Sequence, residues 1–139
     1  MEKVFLAKIE LIRPILRWIR EQLHEIPWDE KGWKKIELAV EEALVNIVRH
    51  AYLGKPEKIR LKVIHHPKQR VEIVIEDSGP PFDPLSTKLP NVSGNLEERE
   101  IGGLGIMMMR QNMDEIRYQR KGKSNVLTLV KTIHSSQSL

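Results

Sequence analysis

The sequence contains no cysteine, which excludes disulfides, thiolate metal sites and a cysteine nucleophile. Long apolar runs are also missing, because no segment approaches the roughly 18 apolar residues needed to span a bilayer. The four apolar residues of Val4–Ala7 are too few for the core of a signal peptide. We therefore expect a cytoplasmic protein that makes no contact with membranes.

Charge of one sign is not concentrated either. The 23 basic and 19 acidic residues are interspersed and leave a net charge of +4. The densest basic segment, residues 117–123, contains a glycine and is typical of a hairpin turn. Because an anionic ligand such as a nucleotide accounts for a mild positive bias equally well, we expect no direct binding of nucleic acid.

The length of 139 residues and the hydrophobic fraction of 40% fit one compact domain with its own core. We place this domain at residues 1–134 and expect the polar residues 135–139 to form a frayed tail.

The first half of the sequence predicts one strand and two helices. Val4–Ala7 is short and apolar, as in a strand, and apolar residues at helical spacing then predict a helix from Ile9 to Glu25. Asp29 is a suitable N-cap for a second helix, which the apolar spacing predicts over Glu30–Tyr52.

The second half predicts paired strands on either side of a lid. The proline-rich residues 78–101 lack any apolar pattern, and loops of that length are usually functional lids or disordered, so we place a lid at about 84–102. The predicted elements are strands at Ile59–Val63 and Val71–Asp77, a helix at Gly103–Met113, and a hairpin of Ile116–Tyr118 with Val126–Val130.

The order β-α-α-β-β-lid-α-β-β favours an α+β fold over a doubly wound parallel sheet. We expect a two-layer α/β sandwich in which helices cover one face of a mostly antiparallel, mixed sheet.

The first motif lies in the second predicted helix. Glu42 and Asn46 are four residues apart and share a helix face, whereas Glu41 points away from it. Asparagine is unfavourable inside a helix, but its amide oxygen can bind Mg²⁺ and a carboxylate one turn earlier can accept a proton. A solvated polar face is the alternative interpretation.

The second motif is Asp77-Ser78-Gly79, directly after an apolar strand. A carboxylate at that position can accept a hydrogen bond from an exocyclic amine such as adenine N6, and the glycine lets a flat ring approach closely. An ordinary Asp-x-Gly turn is the alternative.

The third motif is Gly102-Gly103-Leu104-Gly105, which opens a predicted helix and can offer backbone N–H groups to phosphate. The dinucleotide-binding pattern fails at Met108, and a P-loop ending at Ser124 fails because Arg117 replaces its first glycine. A flexible hinge of the lid is the alternative.

In combination and in this order, the motifs resemble those of the GHKL (Bergerat-fold) ATPases, and most closely the bacterial anti-sigma factor serine kinases of the RsbW and SpoIIAB type. The resemblance covers about Val4 to Ile133. It rests on Glu41-Glu42-Ala43-Leu44-Val45-Asn46 with His50-Ala51-Tyr52, on Asp77-Ser78-Gly79 with Phe82-Asp83, and on Gly102–Gly105 with Met113-Asp114-Glu115.

The resemblance implies an ATP site and a catalytic carboxylate. Asp77 would bind adenine with Gly79 giving room, and Asn46 would bind Mg²⁺. Histidine-kinase domains usually carry Asn at the position of Glu42, whereas serine kinases carry Glu there, so Glu42 would deprotonate a serine. The remaining expected nucleotide contacts are Arg49 (or a solvated residue), His50, Gly102, Gly103, Leu104, Gly105 and Asn125, which replaces a threonine of relatives.

The implied partners are ATP or ADP, a STAS-type anti-anti-sigma protein as the substrate, a sigma factor, and a second copy in a homodimer. Two alternatives stay open: a nucleotide-binding regulator that has no kinase activity, and an ATPase module like that of histidine kinases.

Overall fold

A computed structural model of the protein describes residues 1–26, 29–51, 57–83 and 104–133, with only the backbone at 50, 51 and 104–106. The helices and strands, in chain order, are β1 (Glu2–Leu6), α1 (Ile12–Gln22), α2 (Glu30–Asn46), β2 (Lys58–His66), β3 (Arg70–Asp77), α3 (Leu104–Asn112), β4 (Glu115–Lys121) and β5 (Ser124–Thr132). This order confirms the predicted succession, and the predicted lid and tail lie outside the described residues. None of the helices within these four segments is long and apolar enough to cross a membrane.

α1 begins later than predicted because residues Ile9–Leu11 form a 3₁₀ turn ahead of it. Pro14 is tolerated in the first turn of α1, where the missing N–H would have no helical acceptor. One side of the helix is buried against the core, through Ile12, Ile15, Leu16 and Ile19.

α2 starts as predicted and ends differently. The Asp29 carboxylate accepts a hydrogen bond of 2.7 Å from the backbone N–H of Gly32, which confirms Asp29 as the N-cap. The α-helix then stops at Asn46, and Ile47–Ala51 form a π-helical turn instead of continuing the predicted helix towards Tyr52, which lies outside the described residues. Such turns occur frequently at functional sites, because the wider turn redirects the side chains that follow it.

The five strands form one sheet in the order β1-β2-β3-β5-β4, and all four neighbouring pairs are antiparallel. The prediction of a mixed sheet is therefore wrong for the described strands. β4 does run parallel to β3, as expected when a helix joins two strands, but β5 lies between them and pairs with both.

The helices cover one face of the sheet. Alternate residues of the central strands point into this face and are buried with the apolar stripes of α1 and α2. The buried apolar strand residues on this face are Ile59, Leu61 and Val63 on β2, Val71, Ile73 and Ile75 on β3, and Leu127 and Leu129 on β5. This arrangement is the predicted two-layer α+β sandwich.

The other face of the sheet carries a network of charged side chains around Glu72. The Glu72 carboxylate is 12% exposed; it forms a 2.6 Å contact with His66 Nε2 and an ion pair with Arg117. His65 pairs with the buried Val71, so His65 and His66 face opposite sides of the sheet. No group of three metal-binding side chains occurs within the described segments.

The Glu72 network predicts a dependence of stability on pH. The hydrogen bond from His66, aided by the charge of Arg117, holds the pKa of the Glu72 carboxyl below its ordinary value of 4.5, although burial acts in the opposite direction. A lowered pKa in the folded state means that ionised Glu72 stabilises the fold above pH 4.5, and that this contribution is lost as the pH falls below it.

We therefore expect Glu72→Gln to lower the free energy of unfolding by about 1 kcal/mol at pH 7, the usual size of one charge-assisted hydrogen bond at a partly exposed site. The difference from wild type should shrink below about pH 4.5. Urea unfolding between pH 3.5 and 7 measures it. Glu76→Gln is the matched control, because Glu76 points to the same face of β3 and has no ion pair in the described part of the chain. A difference that stays constant down to pH 3.5 would contradict the prediction.

Candidate functional site

The C-terminal end of β3 and the start of β5 form the floor of the candidate site. Asp77 and Asn125 are direct partners in the register of these two strands. Each lies two residues from a buried apolar residue of its own strand, Ile75 and Leu127, so both side chains point into the helix-covered face. Asp77 is 5% exposed and Asn125 is 3% exposed, which makes them two of the four buried polar residues among those that the structure describes.

Among the described residues, the hydrogen-bond donors to the Asp77 carboxylate all contact one of its two oxygens. Its Oδ1 atom accepts hydrogen bonds of 2.9 Å from the Gly79 backbone N–H and 2.9 Å from Asn125 Nδ2. The first of these is the bond of an ordinary Asp-x-Gly turn, so that local structure is present, but a turn alone does not require a buried acid. Within the described residues Oδ2 has no hydrogen-bond donor, and it is therefore the oxygen that can accept from a ligand.

α2 contributes the amide and the second acid. Asn46 is 8% exposed, and its Nδ2 atom is buried without a hydrogen-bond partner in the described part of the chain. A buried N–H group without an acceptor costs about 1–3 kcal/mol, so an acceptor from outside these residues is expected. Glu42 lies four residues earlier on the same α-helix, so it shares the face of Asn46; it is half-buried, whereas Glu41 is exposed.

The chain direction brings α2 and the floor together. β1 and β2 are antiparallel neighbours joined by α1 and α2, so α1 leads away from the end of the sheet at Leu6 and α2 returns to it. Near the start of β2, Ile59 pairs with Asp77, which in turn pairs with Asn125. The C-terminal end of α2, with Asn46, therefore lies at the end of the sandwich that carries Asp77.

α3 begins at the same end of the sandwich. Because β4 runs parallel to β3, the helix that joins them starts near the C-terminal end of β3. Leu104 and Gly105 form its first turn, with only their backbone described, and α3 packs against α2. Gly102 and Gly103 lie outside the described residues, so phosphate binding by this loop stays a prediction.

The C-terminal end of α3 is fixed to β5 by a buried lysine. Lys131 Nζ donates to the carbonyl of Asn112 at 3.0 Å and lies 3.9 Å from the Asp114 carboxylate. A cation at a helix C-terminus stabilises the last carbonyls and the helix dipole. Lys131 was not predicted as a buried residue, because it directly follows the apolar residues of a strand. A lysine there indicates a buried partner only when the face to which it points is known.

Arg49 and His50 are the two remaining residues that were predicted to contact the nucleotide. Arg49 is exposed on the π-helical turn, which is compatible with either of its two interpretations. The backbone of His50 lies in the same turn, and its side chain is not among the described parts of the structure.

Two further residues of the floor were not predicted. Tyr118 and Arg120 on β4 both contact the Asn125 amide oxygen. Arg120 was assigned only to a basic hairpin turn. Its position directly opposite Asn125 is a matter of strand register, which is the one signal that would have identified it.

The donor set fits a hard cation together with a nucleotide. An amide oxygen on Asn46 is a ligand that Mg²⁺ accepts, and this ion usually completes its shell with water and phosphate oxygens rather than with a cluster of carboxylates. The Asn46 N–H, which lacks an acceptor among the described residues, is suited to a phosphate oxygen as well. The residues present are therefore compatible with Mg²⁺ bound through a polyphosphate.

Comparison with solved structures identifies the same fold in other proteins. A chain of the SiaB–SiaC complex from Pseudomonas aeruginosa superimposes with a TM-score of 0.61 at 15% identity, covering 94% of this chain and 88% of that one. The mycobacterial sensor histidine kinase MprB superimposes with a TM-score of 0.51 at 16% identity, covering 94% and 97%. At these identities the comparison establishes the fold alone.

Sequence comparison is more specific. The chain is 33% identical over 122 residues to the serine/threonine-protein kinase BtrW of Bordetella bronchiseptica, covering 87% of this chain and 84% of that protein. It is 31% identical over 99 residues to the serine-protein kinase RsbW of Listeria innocua, covering 67% of this chain and 62% of that protein. Residues 5–131 match the histidine kinase-like ATPase domain. The chain therefore belongs to the histidine kinase-like ATPase family, and its relatives include serine-protein kinases.

Proposed function

We propose that this protein is an ATP-dependent serine kinase whose substrate is a STAS-type anti-anti-sigma protein. In the same proposal it binds a sigma factor as a homodimer, and phosphorylation of the STAS-type protein decides which partner is held. One observation carries the proposal: half-buried Glu42 and buried Asn46 lie on the same face of α2, and the Asn46 N–H has no acceptor among the described residues.

The proposed site divides the work between binding and chemistry. Asp77 Oδ2 accepts a hydrogen bond from the exocyclic amine of adenine, and the backbone N–H groups of Gly102–Gly105 hold the phosphates. Asn46 holds Mg²⁺, which supplies neutralisation of the phosphate charge when it is bound. Most of the rate enhancement in phosphoryl transfer comes from such positioning and charge neutralisation.

Glu42 acts on the protein substrate. Its carboxylate accepts the proton of a serine hydroxyl as the serine oxygen forms a bond to the γ-phosphorus, and the bond from that phosphorus to the bridging oxygen of ADP breaks. Glu42 lies one helical turn from Asn46. Its carboxylate can therefore reach the phosphates that Asn46 would approach. The names of the relatives, serine-protein kinases at about 30% identity, support the same reaction.

A transfer assay tests the proposal. The protein is incubated with Mg-ATP labelled on the γ-phosphate and with STAS-type proteins from the same genome, and the phosphorylated residue is identified by mass spectrometry. We expect one serine of one such protein to be labelled, and the label to be lost when that serine is replaced by alanine. Tight binding of a sigma factor without transfer to any candidate would leave only a binding protein. Release of phosphate without a phosphoprotein would indicate a general ATPase.

A further inference from the structure

We propose that Asn125, held in place by Tyr118 and Arg120, is a positioning residue that fixes the Asp77 carboxylate and thereby selects purines with a 6-amino group over those with a 6-keto group. This inference rests on the proposed nucleotide site. It gives Asn125 a role different from the direct nucleotide contact that the sequence suggested.

The oxygen and the nitrogen of the Asn125 amide contact different kinds of group. Every group on Oδ1 is a donor: the Tyr118 hydroxyl at 2.5 Å, Arg120 Nη1 at 3.2 Å and the Phe82 backbone N–H at 3.3 Å. Every group near Nδ2 is an acceptor: Asp77 Oδ1 at 2.9 Å, the Pro80 carbonyl at 2.9 Å and the Gly79 carbonyl at 3.4 Å. Only a primary amide presents an acceptor and a double donor in this geometry.

These contacts saturate the amide. An amide nitrogen has two hydrogens, and Asn125 Nδ2 already faces three acceptors. An amide oxygen has two lone pairs, and Asn125 Oδ1 already faces three donors. Asn125 therefore has nothing left to offer a nucleotide directly, and its effect on a ligand passes through Asp77.

The effect on Asp77 is to define which oxygen is available. Asn125 and Gly79 both donate to Oδ1, which fixes the plane of the carboxylate and leaves Oδ2 as an acceptor inside a buried site. An amino group at position 6 of a purine satisfies this oxygen. A keto group places a second acceptor against it, and sites built to bind a hydrogen-bond donor reject such analogues strongly.

Arg120 also binds the backbone that follows Asp77 and leads towards the predicted lid. Its Nη1 atom donates to the Gly79 carbonyl at 2.7 Å, and its Nε atom donates to the Gly122 carbonyl in the β4–β5 turn at 3.2 Å. Gly122 has a φ of +58°, a conformation that favours glycine, so this turn has a defined shape. The edge strand β4 thus fixes both Asn125 and the turn after Asp77.

The test compares the affinities for ATP and ITP, which differ in the amino or keto group at position 6. We expect wild type to prefer ATP by at least about 100-fold, as measured by titration calorimetry with Mg²⁺. Asn125→Asp keeps the shape of the side chain but turns its donor end into an acceptor facing Asp77. We expect it to weaken ATP binding at least about tenfold and to leave ITP binding almost unchanged, so that the preference for ATP falls by at least about tenfold.

Tyr118→Phe is the milder second variant, because it removes one donor from the Asn125 amide oxygen and keeps the ring. We expect it to reduce the preference by a few-fold. Gln119→Ala is the matched control, because Gln119 is exposed and pairs with Val126 on the other face of the sheet. Thermal unfolding shows whether each variant is folded. Should Asn125→Asp fail to fold, the ATP-to-ITP ratio of Tyr118→Phe decides the question.

The outcomes separate this inference from the proposed function. Equal weakening of ATP and ITP in the variants would mean that Asn125 is merely structural and would overturn the inference, while the nucleotide site would stand. A wild-type preference below threefold with clear binding of ATP would also overturn the inference alone. No binding of either nucleotide by folded wild type would overturn both.

Discussion

Replacing Asp77 with asparagine should lower the affinity for Mg-ATP by at least about 100-fold, which corresponds to about 2.7 kcal/mol of binding free energy. The substituted side chain keeps one oxygen, which can still accept from Gly79 and Asn125 and preserve the turn. Its amide nitrogen then occupies the position of Oδ2 and presents a donor to the amino group of adenine. A buried donor that faces another donor leaves both unsatisfied, in addition to the loss of a charge-assisted hydrogen bond.

Titration calorimetry and thermal unfolding measure the two sides of this prediction. Because the substitution is nearly isosteric and the Oδ1 contacts are retained, the unfolding temperature without nucleotide should change little. Stabilisation by added Mg-ATP, which is present in wild type through mass action, should disappear. Glu76→Gln is the matched control, since Glu76 precedes Asp77 on β3 and points to the uncovered face. Wild-type affinity in Asp77→Asn would contradict adenine binding by this carboxylate.

The sequence predicted the strands and helices well where apolar residues recur at a regular spacing. β2 and β3 alternate between apolar and polar residues, and the structure places both strands within a few residues of the prediction. β4 is seven residues long although only Ile116–Tyr118 was predicted, because this edge strand carries charged residues on both sides of its apolar ones. The π-helical turn was not predictable, since no residue of Ile47–Ala51 breaks a helix.

The residues of the candidate site also fall into two groups, those that a local sequence pattern predicted and those that it did not. Asn46 was recognised because asparagine is unfavourable inside a helix, and Asp77 because it places a carboxylate directly after an apolar strand. The contacts of Asn125 with Tyr118 and Arg120 depend on how β4 aligns with β5, and a shift of one residue would turn both side chains to the other face. Local pattern therefore identifies the candidate ligand contacts, whereas the residues that position them require the register.

Glu42→Gln should abolish most of the phosphoryl transfer while leaving nucleotide binding intact. Glutamine keeps the length and polarity of the side chain but cannot accept the serine proton, and general-base catalysis is worth about 10²–10⁴-fold in rate. We expect the single-turnover rate of transfer to fall by that factor, with the dissociation constant for Mg-ATP within about twofold of wild type because Glu42 binds no part of the nucleotide in the proposed site.

Glu41→Gln provides the matched control for this measurement. Glu41 is the preceding residue of α2, carries the same charge and is exposed, whereas Glu42 is half-buried. Both substitutions remove one negative charge from the same helical turn, so a long-range electrostatic effect on ATP or on the partner would appear in both variants. A loss confined to Glu42→Gln assigns the proton transfer to this carboxylate. Full transfer by Glu42→Gln would remove its catalytic role, and a parallel loss of Mg-ATP binding would make Glu42 a ligand-binding residue instead.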